Sequence, residues 1–113
     1  MPIGYKVVEN TNRTLFSCSA FGRRLVYRIE KWTRPITGDG PLTLFKTMIE
    51  AYIFIDNRLG CNHTNFLIRK CEYIPSRTIT VWFNVNNHYY INNRLKHMGL
   101  PNNTVFASAI KIL

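Results

Sequence analysis

The chain has 113 residues, 46% of them apolar, and a net charge of +9. This length and composition suit one globular domain with its own hydrophobic core, and they exclude a disordered chain or a small scaffold that needs disulfide staples. No apolar stretch reaches the roughly 20 residues of a membrane helix, and the N-terminus lacks the pattern of a secretory signal. We therefore expect an intracellular protein that is neither secreted nor bound to a membrane.

The charge is the strongest global signal in the sequence. Residues 1–57 carry eight basic and five acidic residues (+3), and residues 58–113 carry seven basic and one acidic residue (+6). Such a surface attracts polyanions, either nucleic acid or an acidic face of another protein. The alternative is a solvated basic surface that only keeps the protein soluble.

Three strands are predicted in the first third of the chain, over residues 3–8, 15–21 and 24–31. The first two would form a hairpin around the turn cluster Asn10–Asn12, with a loop that is not of the tight two-residue type. In the third strand, Leu25, Tyr27 and Ile29 alternate with mostly charged residues. One side of the sheet would therefore be buried and the other wet.

The middle of the chain carries the clearest helical pattern. A short apolar strand over residues 42–45 is followed by a predicted helix at about 48–59. Thr47 and Glu50 have the spacing of a capping box, and Gly60 is expected to end the helix. Apolar residues recur in so wide a stripe that we expect this helix to be buried on more than one side.

Three further strands are predicted over residues 66–74, 78–85 and 104–112. Between the last two, Ile91, Leu95 and Met98 recur at i, i+4 and i+7, and Gly99 follows them. This pattern predicts a short helix at about 88–98.

Together these elements define an α+β fold for the whole chain, which would form a single basic domain. We expect a mostly antiparallel sheet of about six to seven strands, with the main helix (about 48–59) packed across one face and a short second helix (about 88–98).

Basic and aromatic residues in the second half of the chain are the candidates for contact with a polyanion. Cations bind phosphates, and aromatic rings stack on bases. The predicted binding residues are Arg69, Lys70, Arg77, Trp82, Tyr89, Tyr90, Arg94 and Lys96.

A second tryptophan, Trp32, stands between Lys31 and Arg34. It is either a stacking platform for a base or ligand, or a ring that covers the edge of the core. Because a tryptophan at the end of a strand more often covers the core, we favour the second interpretation.

The three cysteines, Cys18, Cys61 and Cys71, are odd in number and irregularly spaced, so they are not a disulfide framework. We expect all three cysteines to behave as small apolar residues in or near the core. Cys61, His63 and Cys71 resemble a partial zinc set but lack the paired spacing of zinc ligands, and His63 is also the nearest base for a Cys61 nucleophile. We predict no metal, no cofactor and no catalytic residue.

Four segments of the chain carry a resemblance to a known group of domains. They are Tyr5-Lys6-Val7-Val8, the stretch from Tyr27 to Pro35 (YRIEKWTRP), the stretch from Gly40 to Ala51 (GPLTLFKTMIEA) and the closing Thr104 to Leu113. In these segments the chain resembles a small uncharacterised α+β domain found in phages, large DNA viruses and some prokaryotes. The resemblance implies a viral accessory protein in the host cytoplasm or nucleus, and it implies no activity and no site residue.

Three functions are therefore compatible with the sequence. The first is a non-enzymatic basic viral protein that binds nucleic acid or an acidic host nuclear protein. The second is a structural module in which exposed sheet edges pair two copies into a homodimer. The third is a small enzyme or ligand-binding domain that uses Trp32, the loop over residues 33–41 and a cysteine.

Overall fold

The structure is a computed structural model, and it describes residues 1–17, 25–36, 41–56, 65–77, 80–85, 88–94 and 103–113, with residues 80–85 and 88–94 described by their backbone. The elements are β1 (Ile3–Thr11), β2 (Thr14–Ser17), β3 (Val26–Tyr27), β4 (Trp32–Thr33), β5 (Leu42–Phe45), α1 (Met48–Phe54), β6 (Phe66–Pro75), β7 (Thr80–Val85), β8 (His88–Arg94) and β9 (Thr104–Ile112). All the strand pairings are antiparallel. The predicted α+β class, a mostly antiparallel sheet with one main helix, is confirmed at this level.

Four of the strands close into a ring. β1 pairs with β6, β6 with β9, β9 with β5, and β5 returns to β1 through the pair Tyr5 and Phe45. β2 and β3 extend the sheet from β1, and β4 extends it from β9, while β7 and β8 form a two-stranded sheet of their own. The sequence pattern predicted a sheet but not that it closes.

The ring closes where Gly4 lets two strands approach each other. A Cβ atom at Gly4 would stand 2.6 Å from Leu44 Cδ1 and 3.0 Å from the main-chain oxygen of Phe45. Both distances are shorter than ordinary van der Waals contact, so a side chain at this position would push β5 away from β1. Inside the ring lie the fully buried side chains of one core cluster, among them Val8, Leu44, Cys71, Ile110 and Ile112.

The second core cluster lies outside the ring, beneath α1. Ala51 and Phe54 of the helix pack against Val7 and Phe45, and the rings of Phe45 and Phe54 are 5.2 Å apart. The opposite side of the helix is exposed, with Ile49 at 70%. The prediction that the helix is buried on more than one side is therefore wrong: the ring has a core of its own, so α1 has only one surface to cover.

The predicted capping box is not seen in α1. Thr47 occupies the N-cap position with extended backbone, but its side chain makes no capping hydrogen bond. Glu50 accepts a hydrogen bond of 3.0 Å from Asn103 Nδ2 instead, which joins the start of the helix to the start of β9. The helix ends at Phe54, and the predicted stop at Gly60 lies outside the described residues.

The first hairpin is tighter than predicted. Thr11 pairs with Thr14, which leaves a loop of two residues, Asn12 and Arg13, with φ of 50° and 65°. Positive φ at both positions is the signature of a type I′ turn, whose twist matches that of the flanking strands.

The third predicted strand is shorter than its alternation indicated. Only Val26–Tyr27 pairs with β2, and the chain then turns, with Glu30 at a φ of 64°. The Glu30 N–H donates to the main-chain oxygen of Ile112 at 2.7 Å, which fixes this turn against the end of β9. Ile29 is consequently exposed and not part of the core.

The prediction of a second helix at about 88–98 is wrong for residues 88–94, the part of this segment that the structure describes. Residues 88–94 form strand β8, in which His88 pairs with Val85 and Arg94 with Thr80. Tyr89, Tyr90 and Ile91 are residue types that favour strands, and β7 pairs with them. This pairing outweighs the helical spacing of the three apolar residues. Residues 95–98 lie outside the described part of the chain.

We expect Gly4→Ala to destabilise the protein by about 1–3 kcal/mol because the new methyl group overpacks the contact between β1 and β5. The measurement is urea unfolding followed by circular dichroism. An unchanged unfolding midpoint would show that the ring closes without this close approach.

A matched pair of substitutions tests the one-sided burial of α1. Phe54→Ala should cost about 3 kcal/mol, since it removes a buried ring that packs on Phe45, whereas Ile49→Ala should change the free energy of unfolding by less than about 0.5 kcal/mol. Both values come from urea unfolding with unchanged m-values. Comparable losses in the two variants would mean that the exposed side of the helix is covered in solution.

Candidate nucleic-acid interface

A row of paired side chains crosses four strands on the outside of the ring. Ile3 pairs with Glu72, Glu72 with Lys111, and Lys111 with Trp32. Paired residues of neighbouring strands share one side of a sheet, and the next pair along, Gly4 with Cys71, faces the core. The row therefore faces away from the interior.

Lys111 connects a carboxylate with an aromatic ring in this row. Its Nζ lies 3.5 Å from Glu72 Oε2 and 5.4 Å from the centroid of the Trp32 ring, within the range of a cation–π contact. Trp32 is nevertheless 40% exposed. The ring is thus held from one direction by a cation and is open to solvent over much of its surface.

Further cations lie close to this pair, one in the neighbouring strand and three in the chain around Trp32. Lys70 is exposed on the same side of β6, two residues before Glu72, which places it diagonally beside Lys111 at about 7–8 Å between backbones. Arg28, Lys31 and Arg34, all exposed, flank Trp32 in the chain. We call the surface formed by Arg28, Lys31, Trp32, Arg34, Lys70 and Lys111 the Trp32 surface.

The exposed charges of the described residues are mostly basic. Exposed acidic side chains are those of Glu30 and Asp56. The exposed basic side chains are those of Arg13, Arg28, Lys31, Arg34, Lys46, Lys70 and Arg77. Four of these seven belong to the Trp32 surface, and one exposed acidic residue, Glu30, stands in the turn between Arg28 and Lys31.

The structure separates the residues of β6 that the sequence analysis grouped together. Arg69 is half-buried, and its Nη2 donates to the main-chain oxygen of Leu113 at 2.8 Å, so this guanidinium secures the end of β9. Lys70 lies on the Trp32 surface. Arg77 is exposed two residues beyond the end of β6.

The predicted aromatic and basic residues beyond Arg77 lie on the ribbon formed by β7 and β8. Trp82 pairs with Ile91, Tyr89 with Asn84, Tyr90 with Phe83, and Arg94 with Thr80. The ribbon begins three residues after Arg77. Of the predicted set, Lys70 alone belongs to the Trp32 surface and four residues lie on this ribbon, while Arg69 and Arg77 belong to neither and Lys96 lies outside the described residues.

Sequence reasoning missed Lys111 and Arg28. Lys111 sits in a strand whose neighbours are apolar, and nothing local marks it as a binding residue. Its role depends on pairing with Trp32, which is far away in the sequence. The basic residues on both sides of Trp32 were the available signal, and they pointed to this strand.

Lys6 and Cys71 are polar groups inside the ring. Lys6 is 4% exposed, and its Nζ donates to the main-chain oxygen of Thr43 at 2.6 Å and lies 5.7 Å from the centroid of the Tyr27 ring. Cys71 is fully buried, and its thiol lies 3.4 Å from the main-chain oxygen of Gly4. Both side chains serve the packing of the interior.

The thiol of Cys71 is unsuited to nucleophilic catalysis. Burial raises the pKa of Cys71 from 9.0 to about 11, although the charge of Lys6 and the hydrogen bond to Gly4 act to lower it. At neutral pH the thiol is therefore protonated, and only the thiolate is a good nucleophile. The prediction of a core cysteine is confirmed for Cys71, while Cys18 and Cys61 lie outside the described residues.

Comparison with protein-family models, curated proteins and solved structures finds no match to this chain. Within the described residues, no group of three or more His, Cys, Asp or Glu side chains is arranged to hold a metal ion. No helix in the same part of the chain has the length and apolar character needed to cross a membrane.

The raised pKa of Cys71 predicts a loss of stability in alkaline solution. Because the unfolded thiol ionises near pH 9 and the folded one near pH 11, the stabilising contribution is complete below pH 9 and is lost as the pH rises to 11, by at most about 3 kcal/mol. Urea unfolding at several pH values measures this slope. Cys71→Ala should be less stable at neutral pH but should show a flatter slope, and equal slopes would contradict the assignment.

Proposed function

We propose that the protein is a non-enzymatic basic domain that binds nucleic acid through the Trp32 surface. The observation that carries the proposal is the exposed Trp32 ring with Lys111 beside it and exposed Lys and Arg residues around it. Cations that contact phosphates and rings that stack on bases are the two components of sequence-tolerant nucleic-acid binding.

The exposed ring favours nucleic acid over an acidic protein as the partner. An acidic protein needs only the cations, which a solvated basic surface would supply without an aromatic side chain among them. Here the backbone of Trp32 pairs with β9, and Lys111, which lies over the ring, also pairs with Glu72. A preformed ring of this kind lowers the ordering cost of binding a flat ligand.

The setting of this function is part of the proposal. A viral accessory role in the host cytoplasm or nucleus is supported by the resemblance of four segments of the chain to a domain of phages and large DNA viruses. Five of the six residues of the Trp32 surface lie within those segments, and Lys70 lies outside them.

Self-association has weaker support. The end strands of the seven-stranded sheet, β3 and β4, have two residues each, and such short edges offer little for another copy to pair with. The exposed apolar side chains of α1 are Met48, Ile49, Tyr52 and Ile53. Four side chains of this size expose on the order of 400 Å², about half of the ~800 Å² that each partner buries in a stable interface.

A charge-reversal pair tests the Trp32 surface. Arg34→Glu combined with Lys70→Glu should weaken binding to a labelled oligonucleotide by at least about 10-fold and should reduce the slope of log K against log salt by roughly 1.4–1.8, the value for two lost phosphate contacts. The measurement is fluorescence anisotropy over a salt series.

The matched control is Arg13→Glu combined with Lys46→Glu, which changes the net charge equally, also by replacing one Arg and one Lys. Arg13 lies in the turn after β1, at the opposite end of that strand from Ile3, and Lys46 hydrogen-bonds through its N–H to Asn103, next to the start of β9. Equal losses in the two double variants would mean that only the overall charge matters. Absence of binding at low salt would contradict the proposal and leave an acidic protein as the partner.

The ribbon of β7 and β8 is a separate candidate contact. The double variant Arg94→Glu with Lys96→Glu, measured in the same salt series, shows how much of the affinity the ribbon contributes. A loss confined to this variant would move the interface from the Trp32 surface to the ribbon.

A further inference from the structure

We infer that the nucleic acid bound by this protein is single-stranded and that one unpaired base stacks on the Trp32 ring. This inference rests on the proposed function and specifies the ligand of the same surface. It depends on three features of the described residues: the exposure of the ring, the way in which it is held, and the lack of a basic recognition helix in this part of the chain.

Trp32 is exposed enough to contact a ligand although one cation already lies over its ring. Lys111 Nζ approaches the ring to 5.4 Å from its centroid, while 40% of the residue is open to solvent. A base within a duplex has both flat sides covered by its neighbours, whereas an unpaired base has a side available for an aromatic side chain. A stacking residue on the surface therefore selects for single strands.

The ring is held rigidly enough to act as a platform. Trp32 and Thr33 pair with Lys111 and Ile110, and the turn before them is fixed by the hydrogen bond from Glu30 to Ile112. Glu72 holds the ammonium group of Lys111 in position at 3.5 Å. A nucleotide whose base stacks here brings its phosphate close to the cations of the Trp32 surface.

The described elements near this surface lack the shape with which proteins bind the grooves of a DNA duplex. Proteins that read duplex DNA insert a helix or a two-stranded ribbon into the major groove. Helix α1 has seven residues, none of them Lys or Arg, and its exposed side is apolar. The ribbon of β7 and β8 is the one described element with groove-binding form, and it is a separate sheet that includes no residue of the Trp32 surface.

The test compares one labelled mixed-sequence DNA oligonucleotide as a single strand and as a duplex, by fluorescence anisotropy at several salt concentrations. We expect tighter binding of the single strand. Trp32→Ala should weaken that binding by about 5- to 100-fold, the usual effect of removing one stacked base, and should leave the salt slope unchanged because no phosphate contact is lost.

Trp32→Phe is the matched variant, since it keeps a stacking ring at the same position. It should retain most of the affinity for the single strand, and thermal unfolding of both variants confirms that they are folded. A Trp32→Phe protein as weak as Trp32→Ala would overturn the stacking role.

The remaining outcomes separate this inference from the proposed function. Equal binding of duplex and single strand, with Trp32→Ala unaffected, would overturn the inference and leave a basic surface that binds phosphates. Preference for the duplex, lost in Arg94→Glu with Lys96→Glu, would overturn it in favour of the ribbon. Absence of binding to either form at low salt would overturn the proposed function and the inference together.

Discussion

The close approach of β5 to β1 at Gly4 is the constraint on which the rest of the structure depends. Because Gly4 has no Cβ, Leu44 and the main chain of Phe45 come near enough for the pair Tyr5 and Phe45 to close the ring. Closure places β9 between β5 and β6, and β9 in turn carries β4 on its edge. The alignment of Glu72, Lys111 and Trp32 follows from the pairing of β9 with both β6 and β4, which brings together three strands that are far apart in the sequence.

The outer side of β1 and β6 divides into two neighbouring zones. Val7 and Ile68 lie beneath α1, and four residues earlier on β1 the pair of Ile3 with Glu72 belongs to the row that ends at Trp32. The pair of Tyr5 with Lys70 marks the border between them. The helix therefore occupies the half of this side that needs apolar cover, and the other half is left to charged and aromatic residues. The strand pair of β1 and β6 thus packs against α1 at one position and contributes to the row that ends at Trp32 at another.

Local sequence patterns predicted the strands with continuous apolar character. They failed where a contact between residues far apart in the sequence determines the local structure. Strand β5 lies where it was predicted, and β6 and β9 lie within a residue of their predicted bounds, because apolar residues recur through all three segments. Residues 88–94 were assigned to a helix from three spaced apolar residues, and pairing with β7 makes them a strand. The Trp32 surface was only partly foreseeable. The basic neighbours of Trp32 could be read from the chain, whereas the contact with Lys111 follows from the register between β4 and β9, which no local pattern encodes.

The contact of Lys111 with Trp32 also gives the molecule a built-in optical reporter. Indole emission responds to a nearby cation and to water, and Trp32 has both within reach. The chain has two tryptophans, so a protein with Trp82 replaced by Phe would emit from Trp32 alone. Its spectrum would then show whether Lys111 is seated on the ring, and a base stacked on the same ring would quench it. The state of this surface can therefore be followed in solution without attaching a dye to the protein or to the ligand.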